Sequence, residues 1–280
     1  MVASSLPMPH LASRTFNSIP LFTDDALYDA SSVRIAFTGR AGGESEGAYA
    51  SLNLGTHVDD ERAAVLANRR ALLAALGEPD MPLIVPNQVH GTELVDIDAA
   101  TPQTLESAHA AAGKGADGIL LSCAGVAALL CFADCVSVII VSPTGRAAVV
   151  HAGWRGAVAR IASRAAAKLA EDDKRDFGAD APAPSSYNAY IGPHICASCF
   201  ETGVDVAARF TGEFGSACTP DARHVDLEEA LALDLVSAGL SRGRIASAHA
   251  CTKCEPEMFF SYRASGGVCG RHGALAYRVK

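Results

Sequence analysis

Two apolar runs around Ser142-Pro-Thr-Gly145 constrain this chain more than any other feature. Val136-Ser-Val-Ile-Ile-Val141 and Ala147-Ala-Val-Val150 are β-branched and read as strands, and Pro143 suits the second position of a tight turn. With Ser142 opposite Gly145, Val136 falls opposite His151 and Cys135 opposite Ala152. Paired strands lie about 4.8 Å apart, so a thiol and an imidazole come within about one residue of each other, beside Asp134. The second strand leads through Ala152-Gly-Trp-Arg-Gly156 into an alanine-rich helix expected over residues 157–170. Strand ends of this kind are where α/β proteins place their chemistry.

The rest of the chain is read in the same way. Period-two and β-branched patterns predict strands at 32–37, 83–85, 93–97, 119–121, 187–191, 244–250, 259–263 and 274–279. Helical periodicity predicts helices at 63–76, 203–214 and 226–237. The first of these is capped by Asp59 or Asp60 and ended by Gly77. Residues 171–186, charged and then rich in proline and serine, read as an exposed loop. Residues 1–30 read as a loose leader, and 31–280 as a single catalytic domain of α/β or α+β class. Apolar residues at 49% against 19% charged describe a globular chain. A net charge of −8 counts against a nucleic-acid or anionic-membrane partner. No run is long enough to span a bilayer, and no secretory signal is evident. Nine cysteines, an odd number, point to a reducing compartment and so to the cytoplasm.

Several chemistries are excluded by missing motifs. There is no Gly-x-Ser-x-Gly elbow, no Gly-x-Gly-x-x-Gly opening a helix, no His-Glu-x-x-His and no phosphate loop ending in Gly-Lys-Ser/Thr. Cys196-x2-Cys199 and Cys251-x2-Cys254 resemble two halves of a zinc ribbon. The 51 residues between them far exceed the roughly 15–20 of that motif, so they read as separate thiols. What remains is His90, Cys135 and His151, each near a strand end. Two imidazoles and a thiolate suit zinc or copper, and three protein ligands leave a fourth position for an activated water. Asp134 is a candidate to orient a ligand or move a proton. Arg40, Arg155 and Arg263 are candidates to hold phosphate, because the guanidinium fork matches its oxygens. The plainer readings are a core thiol at Cys135, a turn acid at Asp134, surface ion pairs for the arginines, and a structural metal in a non-enzymatic scaffold.

Asn87-Gln-Val-His-Gly91, Ala116-Asp-Gly118, Ala133-Asp-Cys135, His151-Ala-Gly-Trp-Arg-Gly156, Ile191-Gly-Pro193 and Phe259-Phe-Ser-Tyr-Arg263 occur in this order. Together they resemble the signature of the YfiH-like family, also called the multicopper polyphenol oxidase or laccase-domain family. The resemblance extends over Thr38-Gly-Arg-Ala-Gly-Gly43 and Tyr49-Ala-Ser-Leu-Asn-Leu-Gly55, with departures at Ser137, Ala264 and Cys269. It implies a single-domain layered α/β/β/α fold and a metal triad on His90, Cys135 and His151, the set the hairpin also reaches. It implies phosphorolysis of adenosine, inosine and methylthioadenosine as a purine nucleoside phosphorylase, with adenosine deaminase activity. Purine nucleosides and phosphate are then the partners, and either a monomer or a homodimer is compatible. The older family name implies copper-dependent phenol oxidation. A further family role, removal of misincorporated serine from peptidoglycan precursors, implies an amidase. Oxygen reduction by several coppers fits poorly with nine scattered histidines and no His-x-His pair.

Overall fold

The computed structural model describes residues 5–279. In chain order the elements are β1 (Ala12–Phe16), β2 (Ile19–Thr23), α1 (Asp25–Ser31), β3 (Val33–Thr38), α2 (Arg62–Ala75), β4 (Leu83–Ile84), β5 (Leu94–Ile97), α3 (Pro102–Lys114), β6 (Gly118–Leu121), β7 (Ala127–Phe132), β8 (Val136–Val141), β9 (Ala147–Ala152), α4 (Trp154–Val158), α5 (Ile161–Phe177), β10 (Asn188–Ile191), α6 (Val204–Phe214), α7 (Leu227–Ser237), β11 (Ile245–Ser247) and β12 (His272–Arg278). They form two mixed six-stranded sheets, ordered β1-β2-β3-β12-β7-β4 and β11-β10-β8-β9-β6-β5.

Alternation along the strands stacks these sheets. On β7, Ala128, Leu130 and Phe132 face one apolar cluster while Ala127, Leu129 and Cys131 face another. On β8, Ile139 and Val141 join the first cluster, and Val136, Val138 and Ile140 join a third with α5 and α7. The shared cluster lies between the sheets, α2 covers the outer face of one, and α4 to α7 cover the other. This is the α/β/β/α order, and it explains why the central strands are apolar on both faces rather than alternating.

The hairpin forms one residue away from the expected register. Ser142 N–H donates to the Arg146 carbonyl at 2.9 Å, and Gly145 takes φ of 82°. The loop thus has three residues with glycine in the left-handed position, rather than the assumed two. Val136 therefore pairs with Ala152 and Ser137 with His151. Cys135 lies just before the strand, reached through Asp134 at φ of 84°.

Residues 12–30 are not a loose leader. β1 and β2 form a hairpin that extends the first sheet, and α1 follows, capped by Asp24 accepting from Leu27 N–H at 3.0 Å. The pattern was missed because β1 lies at a sheet edge and is mostly exposed. Residues 1–4 lie outside the described part. The expected cap of α2 is also corrected: Glu61 occupies the cap position, and Asp60 instead accepts from Ser45 Oγ at 2.7 Å and Asn53 Nδ2 at 2.8 Å. Residues 259–263 are irregular, ending in a turn from Tyr262, rather than a strand.

The helix after β9 is broken at Arg160, whose φ is 63°, and then runs on to Phe177. Its charged end is helical where the sequence pattern predicts a loop, because Asp173 within it is paired with residues distant in sequence. Asp173 is fully buried. It accepts from Ser142 Oγ and Tyr187 Oη at 2.5 Å, Thr144 Oγ1 at 2.8 Å and Arg146 Nη1 at 2.6 Å. Asp173→Ala removes the acceptor of three hydroxyls and of one N–H of the buried Arg146 guanidinium, which keeps only Asp176, so urea unfolding should show a loss of about 3 kcal/mol. A loss below about 0.5 kcal/mol would mean the cluster is not holding α5 to the hairpin turn.

Candidate metal centre

The loop between β4 and β5 is shaped by one buried carboxylate. Asp117 is fully buried and accepts the backbone N–H groups of Val89 at 3.2 Å, His90 at 2.9 Å and Gly91 at 2.6 Å. Its backbone carbonyl also accepts His151 N–H at 2.7 Å. Gln88 fastens the same loop to β7 by exchanging hydrogen bonds with the backbone of Cys131 at 2.8 and 2.7 Å. His90 is thereby held in a left-handed conformation, φ 60°, a rare state for a side-chain-bearing residue that recurs at functional sites. Gly153 makes room for it, since a Cβ there would lie 2.4 Å from His90 Cδ2.

His151, on β9, gives its Nδ1–H to Asp117 Oδ1 at 2.7 Å. That bond fixes the tautomer and leaves Nε2 as the ligand atom, as the outer partner of a metal-binding histidine does. The imidazoles of His90 and His151 meet edge to face, with centroids 4.8 Å apart. Cys135 Sγ lies 3.8 Å from His90 Nε2. One ligand atom from each of His90, Cys135 and His151 lies within 4.8 Å of the others.

The electrostatics suit this set. Burial pushes the Cys135 thiol up, but hydrogen bonds to His151 and His90 outweigh it and bring it down to about 6. Burial pushes His151 down, but its bonds to Asp117 and Cys135 outweigh that and carry it up to about 9. Burial raises Asp117 as well, yet the bond from His151 and the loop amides hold it below the usual carboxylate range. Cys135 is thus poised as a thiolate near neutral pH, which is the form that binds metal. Two imidazoles and one thiolate fit a borderline-soft ion with a coordination position to spare. Cys131 is not part of this group of ligand atoms; its thiol donates to the Leu54 carbonyl at 3.4 Å.

The three residues line a cavity of about 420 Å³, within the range of small-molecule sites. Of the three candidate phosphate holders, only Arg263 lines it. Arg40 is turned away to the carbonyls of Ala50 and Pro256 and packs on the Phe260 ring. Arg155 is exposed on α4 and lies over Trp154. Neither lines the cavity shared by His90, Cys135 and His151. Asp134, the candidate to orient a ligand or move a proton, lines the same cavity. Its carboxylate accepts from Thr252 Oγ1 and from Arg263 N–H, each at 2.6 Å, so it braces the cavity wall.

Three contributors were missed. Asp117 stood in a quoted motif with no role assigned. Arg271 lines the cavity and stood beside Cys269 at the edge of a motif. His57 also lines it. Burial and the nearby Arg271 and Arg69 push its imidazole down to about 4, so it is neutral at pH 7. Its signal was only the end of Leu54-Gly-Thr-His57. A fourth feature corrects the reading of separate thiols: Cys196, Cys199, Cys251 and Cys254 bring their sulfurs within 4.8 Å of one another.

Known proteins resemble this chain in family, sequence and fold. Residues 34–278 match the family described as multi-copper polyphenol oxidoreductase laccase. "Purine nucleoside phosphorylase YlmD" of Geobacillus stearothermophilus is 34% identical over 242 residues, covering 84% of this chain and 86% of that one. "Adenosine deaminase RL5", from an unknown prokaryotic organism, is 32% identical over 244 residues, covering 84% and 90%. The crystal structure of the Bacillus licheniformis hypothetical protein YfiH superposes with a TM-score of 0.78 at 28% identity, over 94% of this chain and 97% of that one.

Proposed function

We infer the function from one premise: the chain belongs to the multi-copper polyphenol oxidoreductase laccase family. Within it, the reading best supported is a purine nucleoside phosphorylase acting on adenosine, inosine and methylthioadenosine, with adenosine deaminase activity at the same site. The observation that carries it is a cavity lined by three convergent metal donors on one part and by Arg263 and Arg271 on another. Relatives named for each of the two activities support the pairing. The catalytic unit, expected over residues 31–280, takes in β1, β2 and α1 as well, and acts in the cytoplasm.

In this reading His90, Cys135 and His151 hold zinc, or alternatively copper, which when bound supplies Lewis-acid polarisation of the reacting centre. The residues of the chain supply the rest. Arg263 and Arg271 hold the phosphate dianion by charge-assisted hydrogen bonds. The phosphate oxygen bonds to the sugar carbon as the bond from that carbon to the purine nitrogen breaks, and the departing base takes up the proton that the hydrogen phosphate gives up. Holding both reactants in one cavity replaces a bimolecular encounter by a positioned one. In deamination, water adds at the amino-bearing purine carbon and ammonia leaves. His57, kept neutral, offers one ring nitrogen as a proton acceptor in either reaction. Asp134 keeps Thr252 and the Arg263 backbone in place.

Chromatography of inosine and adenosine incubations, with and without phosphate, tests this. Hypoxanthine and adenine should appear only with phosphate, and inosine should form from adenosine without it. Absence of all three with metal-replete protein sinks the reading. Arg263→Ala should raise the KM for phosphate about tenfold, the equivalent of one charge-assisted hydrogen bond. Deamination, which needs no phosphate, should change less than about threefold. Equal loss in both reactions would mean that Arg263 braces the wall rather than binding phosphate.

A further inference from the structure

The second sulfur group follows from the topology. β10 and β11 are parallel neighbours, with Ile191 paired to Ser247. Both chains therefore leave the sheet in the same direction and side by side. The pairing continues past the strands as a parallel bridge between His194 and Cys251, with His194 N–H donating to the Ala250 carbonyl at 3.2 Å and Thr252 N–H to the His194 carbonyl at 3.0 Å. Each chain then enters a Cys-x2-Cys turn. Cys199 N–H donates to the Cys196 carbonyl at 3.0 Å, and Glu255 N–H to the Cys251 carbonyl at 3.0 Å. The long separation in sequence is taken up by α6 and α7, so it does not bear on the distance in space.

The sulfurs are arranged as ligands. Cys199 Sγ and Cys254 Sγ are 3.5 Å apart, and all four lie within 4.8 Å of one another. A tetrahedron with metal–sulfur bonds of about 2.3 Å has sulfur separations of about 3.8 Å. A disulfide brings only two sulfurs together, at about 2 Å. Cys196 N–H donates to Cys251 Sγ at 3.3 Å, which supports negative charge on that sulfur. None of the four lines the cavity that holds His90, Cys135 and His151.

We propose that Cys196, Cys199, Cys251 and Cys254 bind one zinc ion in a closed tetrathiolate site, separate from the His90–Cys135–His151 centre. Four protein ligands leave no position for substrate, so the site is structural. It clamps together the two segments that wall the cavity. One continues from Cys199 to Phe200, which lines it; the other runs from Cys251 through Thr252, which holds Asp134, towards Tyr262 and Arg263.

Metal analysis of the full chain, purified under reducing conditions from zinc-supplied cells, tests the site without reliance on activity. A variant with His90, Cys135 and His151 all replaced by alanine should retain about one zinc per chain, with four sulfurs at about 2.3 Å in X-ray absorption. Cys199→Ser with Cys254→Ser, in the otherwise native chain, should lose one zinc relative to the native protein. If the His90 centre binds no metal, the native protein holds a single zinc that only the cysteine replacements remove, and this proposal stands. A folded triple variant without zinc overturns it, as does recovery of the two Cys-x2-Cys segments as disulfides. If the triple variant does not fold, an unchanged zinc count in the Cys199→Ser, Cys254→Ser protein overturns it.

Discussion

Cys135→Ala is expected to lower turnover on purine nucleosides by at least about 10³-fold, a barrier increase of about 4 kcal/mol. The variant should keep its secondary structure and its unfolding midpoint within a few degrees. Cys135 is half-buried just before β8 and does not contribute a strand hydrogen bond to the hairpin. What it contributes is a thiolate, held down to about 6 against the burial that would raise it. Alanine leaves His90 and His151, two imidazoles with a weak claim on zinc. Metal analysis should show loss of one ion, and added zinc should not restore activity. Full turnover in a folded Cys135→Ala protein would refute the metal-centred reading.

Asp117→Ala should have the broader effect. The carboxylate accepts three consecutive loop N–H groups and the His151 ring, with no exposure to solvent. Without it, buried donors lose their partner at about 1–3 kcal/mol each, and His90 loses the clamp that holds its left-handed backbone. We expect a stability loss of about 3–5 kcal/mol by urea unfolding. Asp117→Asn separates the two roles. Its amide oxygen can still accept from part of the loop, while the charge that supports the His151 ring is gone. Metal affinity should fall about 10–100-fold with a smaller stability loss. Equal metal affinity in Asp117→Asn and native protein would mean that Asp117 serves the loop alone.

The site was legible in part because its chemistry sits on short-range patterns. A β-branched hairpin with Cys135 before it and His151 in its second strand declares itself through strand propensity and turn residues. His90 is marked by a glycine-flanked bend between two strands. These signals survive a one-residue error in register, because the two residues stay adjacent in either pairing. The arginines were legible only as residue types. Arg40 and Arg155 stand in motifs as well defined as that of Arg263, yet nothing local says which face of a sheet a loop will emerge on. The charged end of α5 failed for a related reason. Asp172 and Asp173 read as solvent-facing until Lys168, Arg175 and Arg146 are seen to neutralise them.

The sequence by itself determined the apolar strands, the α/β class and the donor types at the candidate metal centre, since each follows from side-chain chemistry and local periodicity. Tertiary structure decided the rest. It turned a 51-residue gap into a pair of parallel strand exits and so brought four thiols together. It gave Asp117 three amides and an imidazole, and it placed one candidate arginine of three, with Arg271, in the lining of the cavity. The physical reason is common to all of these. Pairing between distant strands and the packing of one sheet on another fix distances that sequence separation does not encode, because loop closure costs only a slowly growing entropy with length.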